Sequence, residues 1–266
     1  MLAKLLIRSA VRAHGKAMLK LETAPHLAEE LTPTPWVVEI AYDAEKHGDM
    51  DHMDAVGVLV SDRHVLTCAH TFRDGRETPL NDKQYFVRVG SDKLGQGRRC
   101  SIERIIVHPD FKAITPGQRR PSGRNSDLAI LVLSEPADVE PVTIVDGHPL
   151  KFYSSVTVFG WPLGGEGTGN LHQVNTAVLP FTCGMVGGIS PGEMALANFA
   201  GAGQLGGGYS GGPVVLFPEG QQGTPRLVGL VSRGALGMPT QDSYGPPGIA
   251  TDLTHQRGWI SETVRS

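Results

Sequence analysis

Short apolar segments, separated by polar, Gly-rich or Pro-rich stretches, recur through most of the chain. Segments of this length with turn residues between them predict the short strands of an all-β barrel or sandwich. The predicted strands are 36–42, 56–60, 64–67, 85–89, 101–107, 128–133, 156–159, 175–179, 214–217, 227–231 and 248–250. The segment at 128–133 is apolar throughout, which is typical of a buried strand.

Helical patterns occur only near the two ends. Basic residues recur every four positions through residues 1–31, where they would form one stripe along a helix. The stripe consists of Lys4, Arg8, Arg12, Lys16 and Lys20. We interpret it as the solvated face of a helix, with a mitochondrial presequence or a membrane-surface helix as alternatives. A second helix is predicted from about residue 252 to residue 264.

The length of 266 residues favours one large or two small domains. Pro33 and Pro35 end the N-terminal helical pattern, because each restricts the residue before it. Residues 136–149 show little periodicity, and we place a linker there. The predicted division is a helical extension at 1–31, a first β unit at 32–140 and a second at 141–266.

Composition removes several function classes. The chain has 24 Lys and Arg against 27 Asp and Glu, for a net charge of −3, which gives no support to nucleic-acid binding. No run of 18 apolar residues occurs, so no transmembrane segment is expected. With 34 Gly and 19 Pro, the chain is richer in turn residues than a helical protein.

Cysteine usage points to a reducing compartment. The three cysteines, Cys68, Cys100 and Cys183, make a poor disulfide framework, although a single Cys100–Cys183 bridge is the alternative. No C-x-x-C pair occurs, so a cysteine-based zinc site is not expected. Arg8 ends the apolar run at 5–7, which is too short for a secretory signal. We therefore expect a cytoplasmic protein.

Three side chains with complementary chemistry lie at the ends of apolar segments. His70 follows the segment at 64–67, Asp127 precedes the one at 128–133, and Ser210 precedes the one at 214–217. A serine hydroxyl needs an adjacent base, and histidine suits that task near neutral pH. A carboxylate on the far side of the imidazole fixes its tautomer. Backbone N–H groups of Gly208 and Ser210 are the predicted oxyanion hole.

These segments resemble the trypsin-like, or chymotrypsin-fold, serine proteases, in the bacterial form that lacks zymogen-activation residues. The family's histidine pattern appears at 66–70, its Asp-Leu-Ala strand at 127–133, and its Gly-x-Ser-Gly-Gly-Pro motif at 208–213. Weaker similarities occur at 106–111, 159–161, 228–234, 247–251 and 259–260. The order of His, Asp and Ser is the family's order, and the resemblance covers about residues 36–262.

The resemblance implies two antiparallel six-stranded β-barrels with the site in the cleft between them. It implies that His70 is the general base, Asp127 the orienting carboxylate and Ser210 the nucleophile. Ser232 is similar to the family serine that supports the catalytic Asp. The backbone of Ser232, Arg233 and Gly234 is similar to the strand edge that pairs with an extended substrate. The expected partner is a protein or peptide substrate, without nucleic acid and without a cofactor. Residues 1–31 are a candidate contact for a regulatory partner.

The chain also departs from the family. Animal trypsins have Asp immediately before the serine, where it pairs with a new N-terminus after zymogen cleavage, and this chain has Tyr209 there. No Ile-Val-Gly-Gly start occurs, so we predict that the site forms without proteolytic activation. The family cysteine after the histidine is Thr71, and the usual disulfide is therefore absent.

The resemblance places Gln204 at the base of the primary specificity pocket, next to Leu205, with Gly234 and Gly248 leaving the pocket open. A neutral floor predicts a preference for uncharged side chains. A length change in the loop at 203–208 would place another residue there.

Two other interpretations are weighed against the protease. The segment at 208–212 also fits the nucleophile elbow of α/β-hydrolases and esterases, with His255 and either Asp242 or Asp252 as partners. That elbow must be followed by a helix, whereas 213–217 predicts a strand. A protease fold with a dormant site, used for binding or sensing, is the third interpretation.

Two polar loops have minor alternatives. Residues 43–54 are predicted to be a solvated loop. A divalent cation site there would use His47, Asp49, Asp51, His52 and Asp54. The basic loop before Asp127, with Arg119, Arg120 and Arg124, is expected to be exposed, or else to be a self-cleavage site or an anionic partner's contact.

Overall fold

A computed structural model describes most of the chain. The described residues are 34–42, 52–72, 84–112, 126–146, 150–163, 169–180, 189–197, 205–217, 223–234 and 247–265. The first six strands are β1 (Val37–Tyr42), β2 (His52–Leu59), β3 (His64–Thr67), β4 (Tyr85–Val89), β5 (Arg98–Val107) and β6 (Ala129–Leu133). The other strands are β7 (Thr143–Ile144), β8 (Ser155–Gly160), β9 (His172–Leu179), β10 (Glu193–Leu196), β11 (Pro213–Leu216), β12 (Arg226–Gly234) and β13 (Gly248–Asp252). One α-helix, α1 (Arg257–Arg265), follows them.

The first six strands form a closed barrel in the order β1-β2-β3-β6-β5-β4. It closes because β4 pairs antiparallel with β1, with Glu39 opposite Arg88. Every residue of β6 is buried, as the apolar run predicted. In this order β6 lies directly beside β3, so the end of one strand and the start of the other lie at the same edge of the barrel.

The second half of the chain also closes into a six-stranded antiparallel barrel, in the order β11-β8-β9-β10-β13-β12. The β11–β12 pairing closes it, and β7 adds to β12 as a short parallel strand. The two-barrel fold predicted from the sequence is therefore confirmed. The stretch at 136–149, where a linker was predicted, contains β7.

Some predicted elements need correction. Strand β10 was not predicted, because its four residues carry no clear alternation. Residues 52–54 belong to β2 rather than to a loop, and the carboxylate of Asp54 accepts a hydrogen bond from Tyr85 Oη at 2.8 Å. The predicted C-terminal helix begins as a 3-10 turn, Leu253–His255, before α1. The helical extension predicted at 1–31 lies outside the described residues.

Apolar contacts and backbone bonds join the first barrel to the second. The rings of Trp36 and Phe159 meet edge to face with centroids 5.7 Å apart. Val56 N–H donates to Ser210 C=O at 2.8 Å. A Cβ on Gly211 would lie 2.2 Å from Val56 O, so only glycine allows this approach. The turn that carries Ser210 is thereby fixed against β2.

Cys68 and Cys100 are buried free thiols. Because Cys100 is a free thiol, it does not form the alternative bridge to Cys183, which lies outside the described residues. Within the described part of the chain, no helix has the length and apolar character needed to cross a membrane.

Candidate active site

His70 and Asp127 meet where β3 ends and β6 begins. Thr67 is paired with Ala129 across these strands, and a 3-10 turn, Ala69–Thr71, continues β3. The Nδ1 of His70 donates to Asp127 Oδ2 at 2.7 Å, and its backbone N–H donates to Oδ1 at 2.9 Å. A carboxylate held by both the ring and the backbone of one histidine fixes the ring and its tautomer.

Ser210 lies beside the other ring nitrogen of His70. It lies in the turn before β11, and its Oγ is 3.3 Å from His70 Nε2. Because the carboxylate occupies Nδ1–H, Nε2 is left as the acceptor for a hydroxyl proton. The His70 side chain is 40% exposed and that of Asp127 only 4%. The arrangement is thus a half-buried nucleophile and an exposed base, with a buried anion behind them.

Asp127 is kept ionised by its hydrogen-bond donors. Burial favours the neutral acid, but the charge of His70, the hydrogen bonds from His70 and the one from Ser232 outweigh it and hold the pKa of Asp127 below its usual value. Ser232 Oγ lies 2.5 Å from Asp127 Oδ2. A shift of register between Val231 and Arg233 interrupts the pairing of β12 with β13 at Ser232. Such bulges re-aim side chains next to functional sites.

The thiol of Cys68 is a neighbour of His70 whose effect the sequence did not reveal. Its Sγ lies 3.7 Å from His70 Nε2 and 3.2 Å from Thr71 Oγ1. The pKa of His70 is raised above its usual 6.5, because the negative charges of Cys68, when its thiol is ionised, and of Asp127 favour the imidazolium, whereas burial opposes it. The position of Cys68, two residues before His70, was the only sequence signal.

The backbone before Ser210 carries the two N–H groups predicted to form the oxyanion hole. Gly208 has φ +94°. The carbonyl of Gly207 accepts a hydrogen bond from Leu163 N–H at 3.1 Å. Because a trans peptide is planar, with C=O and N–H on opposite sides, the Gly208 N–H is directed away from Leu163. Among the described residues, no backbone hydrogen bond uses the N–H of Gly208 or of Ser210.

Comparison with known proteins identifies the family. The trypsin family model matches residues 28–260. The chain belongs to the trypsin family. It is 27% identical to a trypsin of Phaedon cochleariae over 268 residues, covering 91% of each chain. It is 30% identical to kallikrein 1-related peptidase b26 of Mus musculus, covering 88% of this chain and 87% of that protein. It is 25% identical to trypsin-4 of Rattus norvegicus, covering 85% of each. The chain is a trypsin-like serine endopeptidase.

Of the residues predicted to form the specificity pocket of this trypsin-family chain, Leu205, Gly234 and Gly248 are described by the structure. Gly234 and Gly248 face each other across β12 and β13. A Cβ on Gly248 would lie 2.9 Å from Leu205 Cδ1, so the buried Leu205 side chain packs against this strand. Gln204 lies outside the described residues. The pocket roles of these residues stay predictions.

Tyr209 occupies the position where animal trypsins have Asp, and its environment is apolar. The side chain is fully buried in the second barrel's core. It packs against Gly160, where an added Cβ would lie 2.5 Å from Tyr209 Cδ1. Burial raises the pKa of Tyr209 to about 12, so the phenol stays neutral. Tyr209 therefore anchors the turn before Ser210 by packing and not by an ion pair.

The alternative sites receive no support from the described part of the chain. The histidine beside Ser210 is His70, 3.3 Å away, whereas His255 contacts Asp252 at 3.8 Å. Ser210 is followed by strand β11, whereas a hydrolase elbow requires a helix. No group of three or more potential metal ligands occurs among the described residues. The basic loop and residues 43–51 lie outside them.

We expect Gly208→Ala to lower kcat by about 10²–10³-fold, the effect of losing one oxyanion donor. Its Cβ would lie 1.8 Å from Trp161 O, and its φ of +94° disfavours alanine, so the Gly208 peptide must move. Gly207→Ala is the matched control, since its Cβ would lie 3.4 Å from Leu163 Cδ1, an ordinary contact. Equal kcat values for the two variants, each shown to be folded by circular dichroism, count against this oxyanion hole.

Proposed function

We propose that the chain hydrolyses peptide bonds through an acyl-enzyme formed on Ser210. The proposal rests chiefly on one alignment: Ser210 Oγ is 3.3 Å from His70 Nε2, and His70 Nδ1 is 2.7 Å from Asp127. Ser210 Oγ attacks the scissile carbonyl carbon while His70 Nε2 takes its proton. His70 then gives that proton to the leaving amine, and the C–N bond breaks. Water repeats the sequence on the ester and releases the acid.

The other groups stabilise charge during these steps. Asp127 remains ionised and holds the imidazolium that forms on His70. The N–H groups of Gly208 and Ser210 donate to the carbonyl oxygen as it becomes an oxyanion. All these groups belong to the chain itself, so the proposed mechanism uses no cofactor.

We also propose that the site forms without proteolytic activation. The Gly207 carbonyl is held by Leu163 N–H, and Tyr209 is anchored by apolar packing, so neither needs a new N-terminus. The test compares activity with N-terminal sequencing of the same sample. Activity that appears only after cleavage near residues 31–36 would overturn this proposal.

For the substrate, we propose a peptide with an uncharged side chain at the residue before the cleaved bond. The support is the neutral Gln204 predicted for the pocket floor and the absence of side chains at Gly234 and Gly248. Incubation with a peptide library, followed by mass-spectrometric mapping of the cleaved bonds, tests both activity and preference. Cleavage mainly after Arg or Lys would refute the preference and leave the endopeptidase intact.

The domain division and the compartment are also proposals. We assign the two barrels to residues 32–140 and 141–266, with residues 1–31 as a candidate contact for a regulatory partner. The free thiols of Cys68 and Cys100 favour a reducing compartment such as the cytoplasm. Fractionation of cells that express the protein tests the compartment.

A further inference from the structure

A buried ion pair lies behind the triad. Glu193 on β10 and Arg233 on β12 belong to the two strands that flank β13. Their side chains meet with both guanidinium Nη atoms on the carboxylate, Nη1 to Oε1 at 2.6 Å and Nη2 to Oε2 at 2.7 Å. Glu193 Oε2 also accepts Ser190 N–H at 2.7 Å. The pair is thus held in one geometry.

Stability is a weak explanation for this ion pair. The Glu193 side chain is 0% exposed and that of Arg233 is 18% exposed. Removing two charges from water offsets much of their attraction, and apolar pairs of similar volume are often as stable. The pair also lies one hydrogen bond from Ser232, which suggests a role in the site.

That hydrogen bond has only one direction. Arg233 Nη1 lies 3.2 Å from Ser232 Oγ. A guanidinium carries donors and no acceptor, so the Ser232 oxygen must accept. The single proton of Ser232 is then left for Asp127 Oδ2, 2.5 Å away. The chain of donors therefore runs from Arg233 to Ser232 and from Ser232 to Asp127.

We propose that Arg233, held by Glu193, is a positioning residue for the triad: it fixes the Ser232 hydroxyl as a donor to Asp127. This rests on the proposed function of Ser210 and His70. With the hydroxyl fixed, Asp127 Oδ2 accepts from Ser232 and from His70 Nδ1 at once, and the carboxylate cannot turn away from the imidazole. Arg233 touches neither the substrate's reacting atoms nor His70 in this role.

The proposal predicts a measurable change at His70. Without Arg233, the Ser232 hydroxyl can rotate, and its bond to Asp127 weakens. A carboxylate with one donor fewer favours the imidazolium more, so His70 becomes a base only at higher pH. Among the described residues, the ionisable groups in contact with His70 are Cys68 and Asp127, and neither side chain is replaced when Arg233 is changed.

The test replaces the whole pair, Glu193→Met with Arg233→Met, so that no unpaired charge stays buried. The readout is inactivation by a fluorophosphonate probe at a series of pH values. We expect the maximal rate to fall about 3- to 10-fold, the effect of one hydrogen bond, with little change in probe affinity. The acidic limb should move to higher pH. The control replaces another largely buried Glu–Arg pair of the described residues, Glu39→Met with Arg88→Met in the first barrel, and should leave both readouts unchanged.

A second comparison isolates the route through Ser232. In a Ser232→Ala background, replacing the pair should lower the rate no further, because the hydroxyl it acts on is gone. A full additional loss in that background overturns the proposal, and so does an unchanged rate and pH profile in the paired variant. If the paired variant does not fold, Arg233→Lys takes its place. One ammonium cannot hold both Glu193 oxygens and reach Ser232, so the same changes are expected and wild-type values overturn the proposal.

Failure of this proposal differs from failure of the proposed function. If wild-type protein reacts with the probe at Ser210 but the pair has no effect, only the positioning role is lost. If folded wild-type protein does not react at all, the proposed function is lost, and the role of Arg233 with it.

Discussion

Ser210→Ala and His70→Ala are each expected to reduce kcat by about 10⁶-fold, and the double variant no further. The nucleophile and its base act as one unit, because a serine hydroxyl without a base is unreactive and a base without the nucleophile has no proton to take. Their separation of 3.3 Å, across 140 residues of sequence, places them in that relationship. The residual rate would come from binding and from the oxyanion hole.

The measurement is kcat for the fastest-cleaved fluorogenic peptide, with circular dichroism to show that each variant is folded. His255→Ala is the matched control, since this exposed histidine lies on the 3-10 turn before α1 and contacts only Asp252 among the described charged groups. It should keep wild-type kcat. Losses that multiply in the double variant would show that the two residues act independently, against the proposed mechanism.

Asp127→Asn is expected to reduce kcat by about 10⁴-fold with the fold retained. Asp127 accepts hydrogen bonds from His70 N, His70 Nδ1 and Ser232 Oγ. An asparagine side chain offers one acceptor oxygen and one NH₂ group, so at least one of these donors loses its acceptor. If the NH₂ faces the imidazole, the ring adopts the tautomer with its proton on Nε2, which cannot accept the proton of Ser210.

Asp252→Asn is the control for this substitution. Asp252 accepts the Thr254 N–H through Oδ1, a bond that asparagine can also accept, and it caps the 3-10 turn before α1. Its kcat should equal that of the wild type. A folded Asp127→Asn variant that keeps more than about a tenth of wild-type kcat contradicts the role assigned to the carboxylate.

The strands were predictable where the chain alternates between apolar and polar residues or stays apolar over a short segment. The pairing of β3 with β6 explains why two segments far apart in sequence each contribute a functional residue at one edge of the barrel. Strand β10 was missed, because its four residues carry no clear alternation. Residues 52–54 were predicted as a loop because they continue the polar stretch that begins at residue 43, so the start of β2 gives no apolar signal.

The contacts that surround the three predicted catalytic residues could not be predicted from the sequence. Glu193 lies on the strand that was not predicted, and its partner Arg233 was interpreted only through its backbone. Side-chain pairs that cross a third strand leave no spacing signal, since their separation depends on barrel closure. Cys68 was visible beside His70, but its effect on the pKa of the imidazole depends on a 3.7 Å distance that only the fold provides.

The most direct test of the central claim is covalent labelling of purified, folded protein with a fluorophosphonate probe, followed by peptide mapping. The probe reacts with a serine that a neighbouring base activates. We predict one labelled residue, Ser210, with labelling lost in both Ser210→Ala and His70→Ala. Absence of labelling in the folded wild-type protein, or labelling that persists in Ser210→Ala, would contradict a base-activated Ser210.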